Sequence, residues 1–123
     1  MVRLSIRGLV GLFGALGLLV ALQLWLNPNA VATNLGLNVL GPIGTATIRA
    51  DLAGFFGGAG ALALAGAILG QARLLTAPLL LVALALAGRV LTVAMGGLTP
   101  EMVPPMVIEA VLIVVFALGR RFI

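Results

Sequence analysis

The stretch Thr47–Gly66, TIRADLAGFFGGAGALALAG, decides the fold that this sequence predicts. Arg49 and Asp51 lie near its start, and the residues that follow them are small or apolar and carry no further charge. The apolar run continues to Leu69, and runs of about 18 or more such residues are typical of helices that span a membrane. The stretch therefore predicts a transmembrane helix with two charged residues at its entrance.

Composition extends this prediction to the whole chain. Of its 123 residues, 63% are hydrophobic and only 8% are charged, whereas about 25% of the residues in a soluble domain are charged. We therefore expect an integral membrane protein in contact with the lipid bilayer. The net charge of +4 comes from arginines at the ends of apolar segments. Because such positions are typical of a topology signal, we expect no nucleic-acid partner.

The residue types that are missing restrict the possible chemistry. The chain contains no histidine, cysteine or tyrosine, so the usual ligands of zinc and iron–sulfur centres are absent. A cysteine nucleophile and a histidine base are excluded as well. We expect no metal site and no cofactor. An enzyme ranks last among the functions considered, since Asp51, Glu109 and Glu101 are the only acid–base candidates.

Four apolar segments predict an all-α, four-helix membrane bundle that forms a single domain over residues 1–123. The expected spans are about 8–26, 48–69, 77–97 and 104–118. Thr76 is the expected N-cap of the third span, with Pro78 in its first turn. The uncharged segment 27–47 has two interpretations: it lies in the membrane interface or dips into the bundle, or it is an ordinary ordered loop.

The arginines predict the orientation of the bundle. An even number of spans places both termini on one side, and five arginines fall on that side: Arg3, Arg7, Arg73, Arg120 and Arg121. The opposite loops contain Glu101, with Arg49 at a helix entrance. Positive charge concentrates on the cytoplasmic side of membrane proteins. The sequence therefore predicts cytoplasmic N and C termini.

Topology also predicts a polar cluster in the outer half of the bundle, formed by Arg49, Asp51, Arg89 and Glu109. Arg89 precedes the end of the third span by eight residues, a depth of about 12 Å, and Glu109 follows the start of the fourth by five, about 7–8 Å. We expect Arg89 and Glu109 to pair, with Asp51 within reach of Arg89. Arg49 then extends to lipid phosphates or to Glu109. A purely structural ion pair is the alternative interpretation.

Glycines behind the charged pair predict a close helix contact. Gly54 and Gly58 form a GxxxG pattern that shares a face with Asp51, and Gly57 lies between them. Small residues at such spacing allow two helix backbones to approach closely. We therefore predict that Gly54, Gly57 and Gly58 form the packing face of the second span.

The stretch Ile48–Leu64, together with Arg89 and Glu109, resembles a family of small bacterial four-span membrane proteins of unknown function related to the DoxX-like proteins. The resemblance covers most of the chain. It implies a four-helix bundle in the bacterial inner membrane, and it brings no established activity with it.

Two functional hypotheses follow from these features. The first is a non-catalytic accessory or assembly subunit of a larger membrane complex, whose partners are other membrane subunits or copies of the same chain. The second is the binding or transport of a small anion, a lipid headgroup or a quinone-like amphiphile through the polar cluster.

Overall fold

The computed structural model describes all 123 residues, and every regular element in it is helical. The chain forms six α-helices and three short helical turns of other types: a π-helical turn at Ile48–Leu52 and 3₁₀ turns at Ala72–Leu75 and Pro100–Met102. The α-helices are α1 (Val2–Leu26), α2 (Pro28–Asn34), α3 (Gly41–Thr47), α4 (Ala53–Leu69), α5 (Thr76–Gly96) and α6 (Val103–Phe122).

Four helical segments are long and apolar enough to cross a membrane: Val2–Leu26, Gly41–Leu69, Ala72–Gly96 and Pro100–Phe122. The predicted number of long apolar helices is thereby confirmed. Each segment is longer than the sequence suggested, because the helices continue through their charged or polar ends. Thr76 is not an N-cap: it is the first residue of α5, follows the 3₁₀ turn directly and makes no side-chain capping bond.

The segment 27–47 is ordered and largely helical. It contains α2 and α3, and Pro28 and Ala32 in α2 are buried. Ala32 belongs to an apolar cluster with Ala21 and Leu24 of α1 and with residues at the start of the second span. The segment therefore covers one end of the α1–α4 pair.

Both chain termini lie at one end of the bundle, called here the termini end; the opposite end is the loop end. The main apolar core lies toward the termini end, and all four long segments contribute to it. A side chain at Gly119 of α6 would run into Leu75 and come within 3.0 Å of Val10. The members of the core are Ile6, Val10, Ala63, Ala67, Leu75, Val82, Val115 and Phe116.

Glycine–backbone contacts join α1 to α4, the most extensively packed pair of helices in the fold. A Cβ atom on Gly14 would lie 2.6 Å from the Leu64 amide nitrogen, and one on Gly60 would lie 2.6 Å from the Gly14 carbonyl oxygen. Gly17 continues the contact, since a Cβ atom there would lie 3.1 Å from the Phe56 carbonyl oxygen. Only glycine allows this approach, because neither backbone can yield to a side chain.

The predicted packing face on the second span is wrong at two of its three glycines. Gly57 faces α1, where a Cβ atom would lie 3.2 Å from Ala21 Cβ, but Gly54 and Gly58 are exposed with nothing within 4 Å. Each helical residue turns the side-chain direction by about 100°. Gly57 and Gly60 therefore share the face that contacts α1, whereas Gly54 and Gly58 lie at the edge of this contact, where α1 and α4 diverge.

We predict that Gly60→Ala destabilises the protein and that Gly58→Ala, two residues away on the same helix, does not. The added methyl at Gly60 meets backbone atoms, and overpacking of this kind costs about 1–3 kcal/mol. Thermal unfolding of the two variants in detergent measures the difference. Equal melting temperatures would show that the α1–α4 contact is looser than described.

Candidate functional site

The structure brings together two of the four charged residues expected to form a cluster. Arg89 on α5 donates from Nε to Oε1 of Glu109 on α6 at 2.7 Å, the one salt bridge in the chain. The side chain of Glu109 is 13% exposed and that of Arg89 is 40% exposed. The carboxylate is thus largely covered, whereas much of the guanidinium group is open to the surroundings.

The turn between α5 and α6 sets the register of this pair. Gly97 ends α5 with φ = 87°, a left-handed value that favours glycine. A 3₁₀ turn begins at Pro100, and Pro104 and Pro105 lie in the first turn of α6, where a proline requires no amide donor. Because the chain reverses tightly, residues of α5 and α6 that are a similar number of positions from the turn lie opposite each other. Arg89 and Glu109 are two such residues.

Arg89 has unused hydrogen-bonding capacity. Its bond to Glu109 is the one hydrogen bond that its side chain makes, although a guanidinium group has five N–H donors. The remaining donors can serve an acceptor from outside the hairpin, either a polar group of another protein or an anionic ligand. The pair therefore joins a largely covered acceptor, the Glu109 carboxylate, to a partly exposed donor, the Arg89 guanidinium group.

Asp51 does not join this pair. It is exposed in the π-helical turn Ile48–Leu52, and its carboxylate forms no hydrogen bond or salt bridge. The expected contact between Asp51 and Arg89 is therefore wrong. The core-facing side of the second span carries Ala59 and Ala63, and Asp51 precedes the exposed Gly54 and Gly58 instead.

Arg49 contacts neither Glu109 nor any other acidic side chain. It forms a reciprocal contact with Trp25 at the end of α1. Arg49 Nε donates to the Trp25 carbonyl oxygen at 3.0 Å, and Trp25 Nε1 donates to the Arg49 carbonyl oxygen at 3.0 Å. This contact was not expected from the sequence. The available signal was a tryptophan at the end of one span and an arginine at the start of the next.

Arg7 is a second residue whose role the sequence analysis missed, since it was interpreted as a topology signal alone. Its Nε donates to the Ala67 carbonyl oxygen at 2.7 Å, and its Nη2 donates to the Ile68 carbonyl oxygen at 2.9 Å. These carbonyls lie in the last turn of α4, where helical acceptors have no intrahelical partner. A cation is also favourable beside the negative end of the helix dipole. Arg7 therefore fastens α1 to the C-terminus of α4.

Two shallow grooves run between α1 and α4. The groove nearer the loop end, called here the α1–α4 groove, encloses about 360 Å³, and Leu18, Ala21, Leu22, Trp25, Ala53, Gly54, Gly57 and Gly58 line it. A second groove of about 490 Å³ lies beside Arg7 at the termini end. Neither groove includes Arg89 or Glu109. No three acidic side chains converge on a position that could hold a metal ion.

We predict that Arg89→Leu and Glu109→Leu each reduce stability and that the double variant recovers most of the loss. Breaking a fully buried pair costs about 3–5 kcal/mol, whereas replacing both partners can be nearly neutral. We expect a smaller loss here, since Arg89 is 40% exposed. Glu109→Leu should be the more harmful change, because it leaves the permanently charged guanidinium group of Arg89 without its partner.

Thermal unfolding in detergent measures the three variants against the unmodified chain. Additive losses in the double variant would contradict the coupling, since they would mean that Arg89 and Glu109 act through separate partners.

Comparisons of this chain with protein-family models, with curated proteins and with solved structures found no match. The relation to the DoxX-like proteins therefore stays a prediction from the resemblance of the second span. Any assignment of function rests on the residues and on their geometry.

Proposed function

We propose that this protein is a non-catalytic, four-span component of the bacterial inner membrane that serves as an accessory or assembly subunit of a larger membrane complex. Its four long apolar segments suit a multi-pass membrane protein. The proposed partner is another membrane subunit that packs against the loop-end half of the α5–α6 hairpin.

The observation that carries this proposal is the sparse packing of that half of the hairpin. Val82 is the last buried residue of α5 and Val115 the first of α6, so none of the residues between them is buried. The Arg89–Glu109 pair lies in this stretch. A charge within a span costs about 2.5–3.5 kcal/mol on insertion scales and normally faces protein. A partner helix over Arg89 would cover its exposed donors.

The arrangement of cations supports the proposed orientation. Arg3 and Arg7 lie in the first turns of α1, Arg73 lies in the turn before α5, and Arg120 and Arg121 lie in the last turn of α6. All five belong to the termini end of the bundle. Since positive charge concentrates on the cytoplasmic side, the proposal places both termini in the cytoplasm.

We predict that single cysteines at Asn34 or Thr99 react with an impermeant thiol reagent from outside the cell and that a cysteine at Gln71 does not. Asn34 and Thr99 belong to the loop end, and Gln71 belongs to the turn between α4 and α5. The chain contains no cysteine, so each label reports one position. Labelling in intact cells, with permeabilised cells as the control, measures the orientation. The reverse pattern would refute it.

We predict that a photo-crosslinking residue at Val90 captures a stoichiometric membrane partner and that the same residue at Leu16 of α1 does not. Val90 follows Arg89 directly, and the two positions have similar exposure, 50% and 44%. Crosslinking in native membranes followed by mass spectrometry identifies what is captured. The double variant of Arg89 and Glu109 to leucine should lose the product at Val90.

A binding role is the second candidate, and the free donors of Arg89 favour it. In that case Val90 captures no protein, and an anionic ligand such as phosphate or an anionic phospholipid raises the melting temperature of the purified chain. Arg89→Leu should abolish this stabilisation, because it removes the donors that would bind the anion. That combination of results would replace the accessory-subunit proposal with ligand binding.

A further inference from the structure

We propose that two copies of this chain form a symmetric dimer through the α1–α4 groove, with Arg49 of each copy facing Asp51 of the other. The inference rests on the proposed insertion of the spans in one orientation. It concerns a face of the molecule that the α5–α6 hairpin does not share.

The α1–α4 groove is shaped for close approach by another helix. Leu18, Leu22 and Trp25 form its α1 side, and Gly54 and Gly58 form the α4 side. No atom of a neighbouring helix lies within 4 Å of a Cβ atom placed on either glycine. Small residues on an exposed helix face let a second backbone pack closely within a membrane.

Two opposite charges precede the α4 side of the groove in the chain, and neither forms a salt bridge within the molecule. Asp51 is exposed and has no partner. Arg49 is also exposed, and its bonding to the Trp25 carbonyl oxygen uses Nε and leaves both terminal guanidinium nitrogens free. The two residues are two positions apart, so their side chains leave the helix on nearly opposite sides. They do not form an ion pair with each other.

A two-fold axis satisfies both charges at once. Copies inserted in the same orientation are related by an axis along the membrane normal, so residues at the same level meet. In such an interface, residue i of one copy contacts residue j of the other, and the reverse contact forms as well. Because the side chains of Arg49 and Asp51 leave the helix on nearly opposite sides, rotation about this axis places each arginine opposite an aspartate. The interface therefore contains two equivalent ion pairs.

This self-complementarity favours a second copy over a phospholipid as the occupant of the groove. An acyl chain could lie along Gly54 and Gly58, but the carboxylate of Asp51 repels a lipid phosphate that approaches Arg49. A second copy supplies an opposite charge to each of the two residues.

The test measures association of the full-length chain in phosphatidylcholine vesicles. Copies that carry a donor or an acceptor fluorophore on a cysteine at Asn34 are reconstituted at decreasing protein-to-lipid ratios, and energy transfer reports the dimer. We expect Asp51→Arg to weaken association by about tenfold or more, since like charges that face each other across an interface repel. The exchanged variant Arg49→Asp/Asp51→Arg should regain most of the association.

A second pair of variants tests the groove without altering charge. Gly58→Leu fills the groove and should abolish association, whereas Gly88→Leu on α5 should leave it unchanged. No atom of a neighbouring helix lies within 4 Å of a Cβ atom at either glycine, so both variants should keep the melting temperature of the monomer.

Three results would overturn the dimer. Energy transfer could be absent in the unmodified chain, or it could survive both Asp51→Arg and Gly58→Leu. Native mass spectrometry could instead show one chain with a retained phospholipid that Gly58→Leu displaces, which would assign the groove to lipid. Cysteine labelling tells this failure apart from failure of the membrane proposal, since a monomer with the expected labelling refutes the dimer alone.

Discussion

The contact between the backbones of α1 and α4 is the constraint on which the rest of the structure depends. Gly14 and Gly60 lie in this contact, where a Cβ atom on either residue would come within 2.6 Å of the backbone of the opposing helix. In a membrane, lipid tails are as apolar as leucine side chains, so helix association depends on van der Waals packing and on polar contacts. Two glycine-lined helices gain such packing along their length. The remaining helices assemble against this pair through a core concentrated near the termini.

Polar contacts fasten both ends of the same pair. Arg7 binds the terminal carbonyls of α4 at one end, and Arg49 and Trp25 exchange hydrogen bonds at the other. In an apolar surrounding, an unsatisfied carbonyl costs several kcal/mol. These arginines therefore do more than mark topology: they satisfy backbone groups, and they fix how far α1 can slide along α4.

The α5–α6 hairpin is built on a different principle. Its two helices are joined by a tight turn and by the Arg89–Glu109 pair, and its loop-end half contributes no buried residue. One half of the molecule is thus held by its own contacts, and the other presents a partly exposed charge pair. Under the proposed function, the first half is the framework and the second half is the docking element. The α1–α4 groove adds a separate surface, and the charges of Arg49 and Asp51 are complementary to those of a second copy.

The sequence by itself determined the helical class, the number of long apolar segments and their order, because the length and the hydropathy of each segment are local properties. It also singled out Arg89 and Glu109, since charges at similar distances from a tight reversal meet when the hairpin closes. Only the tertiary structure decided which glycines pack. Gly54 and Gly58 form the more obvious motif, yet Gly14 and Gly60 make the contact, because the rotation of α4 depends on all of its neighbours together. The same rotation leaves Asp51 outside the polar pair, and the hydrogen bonds of Arg7 and Arg49 arise from residues that are far apart in the chain.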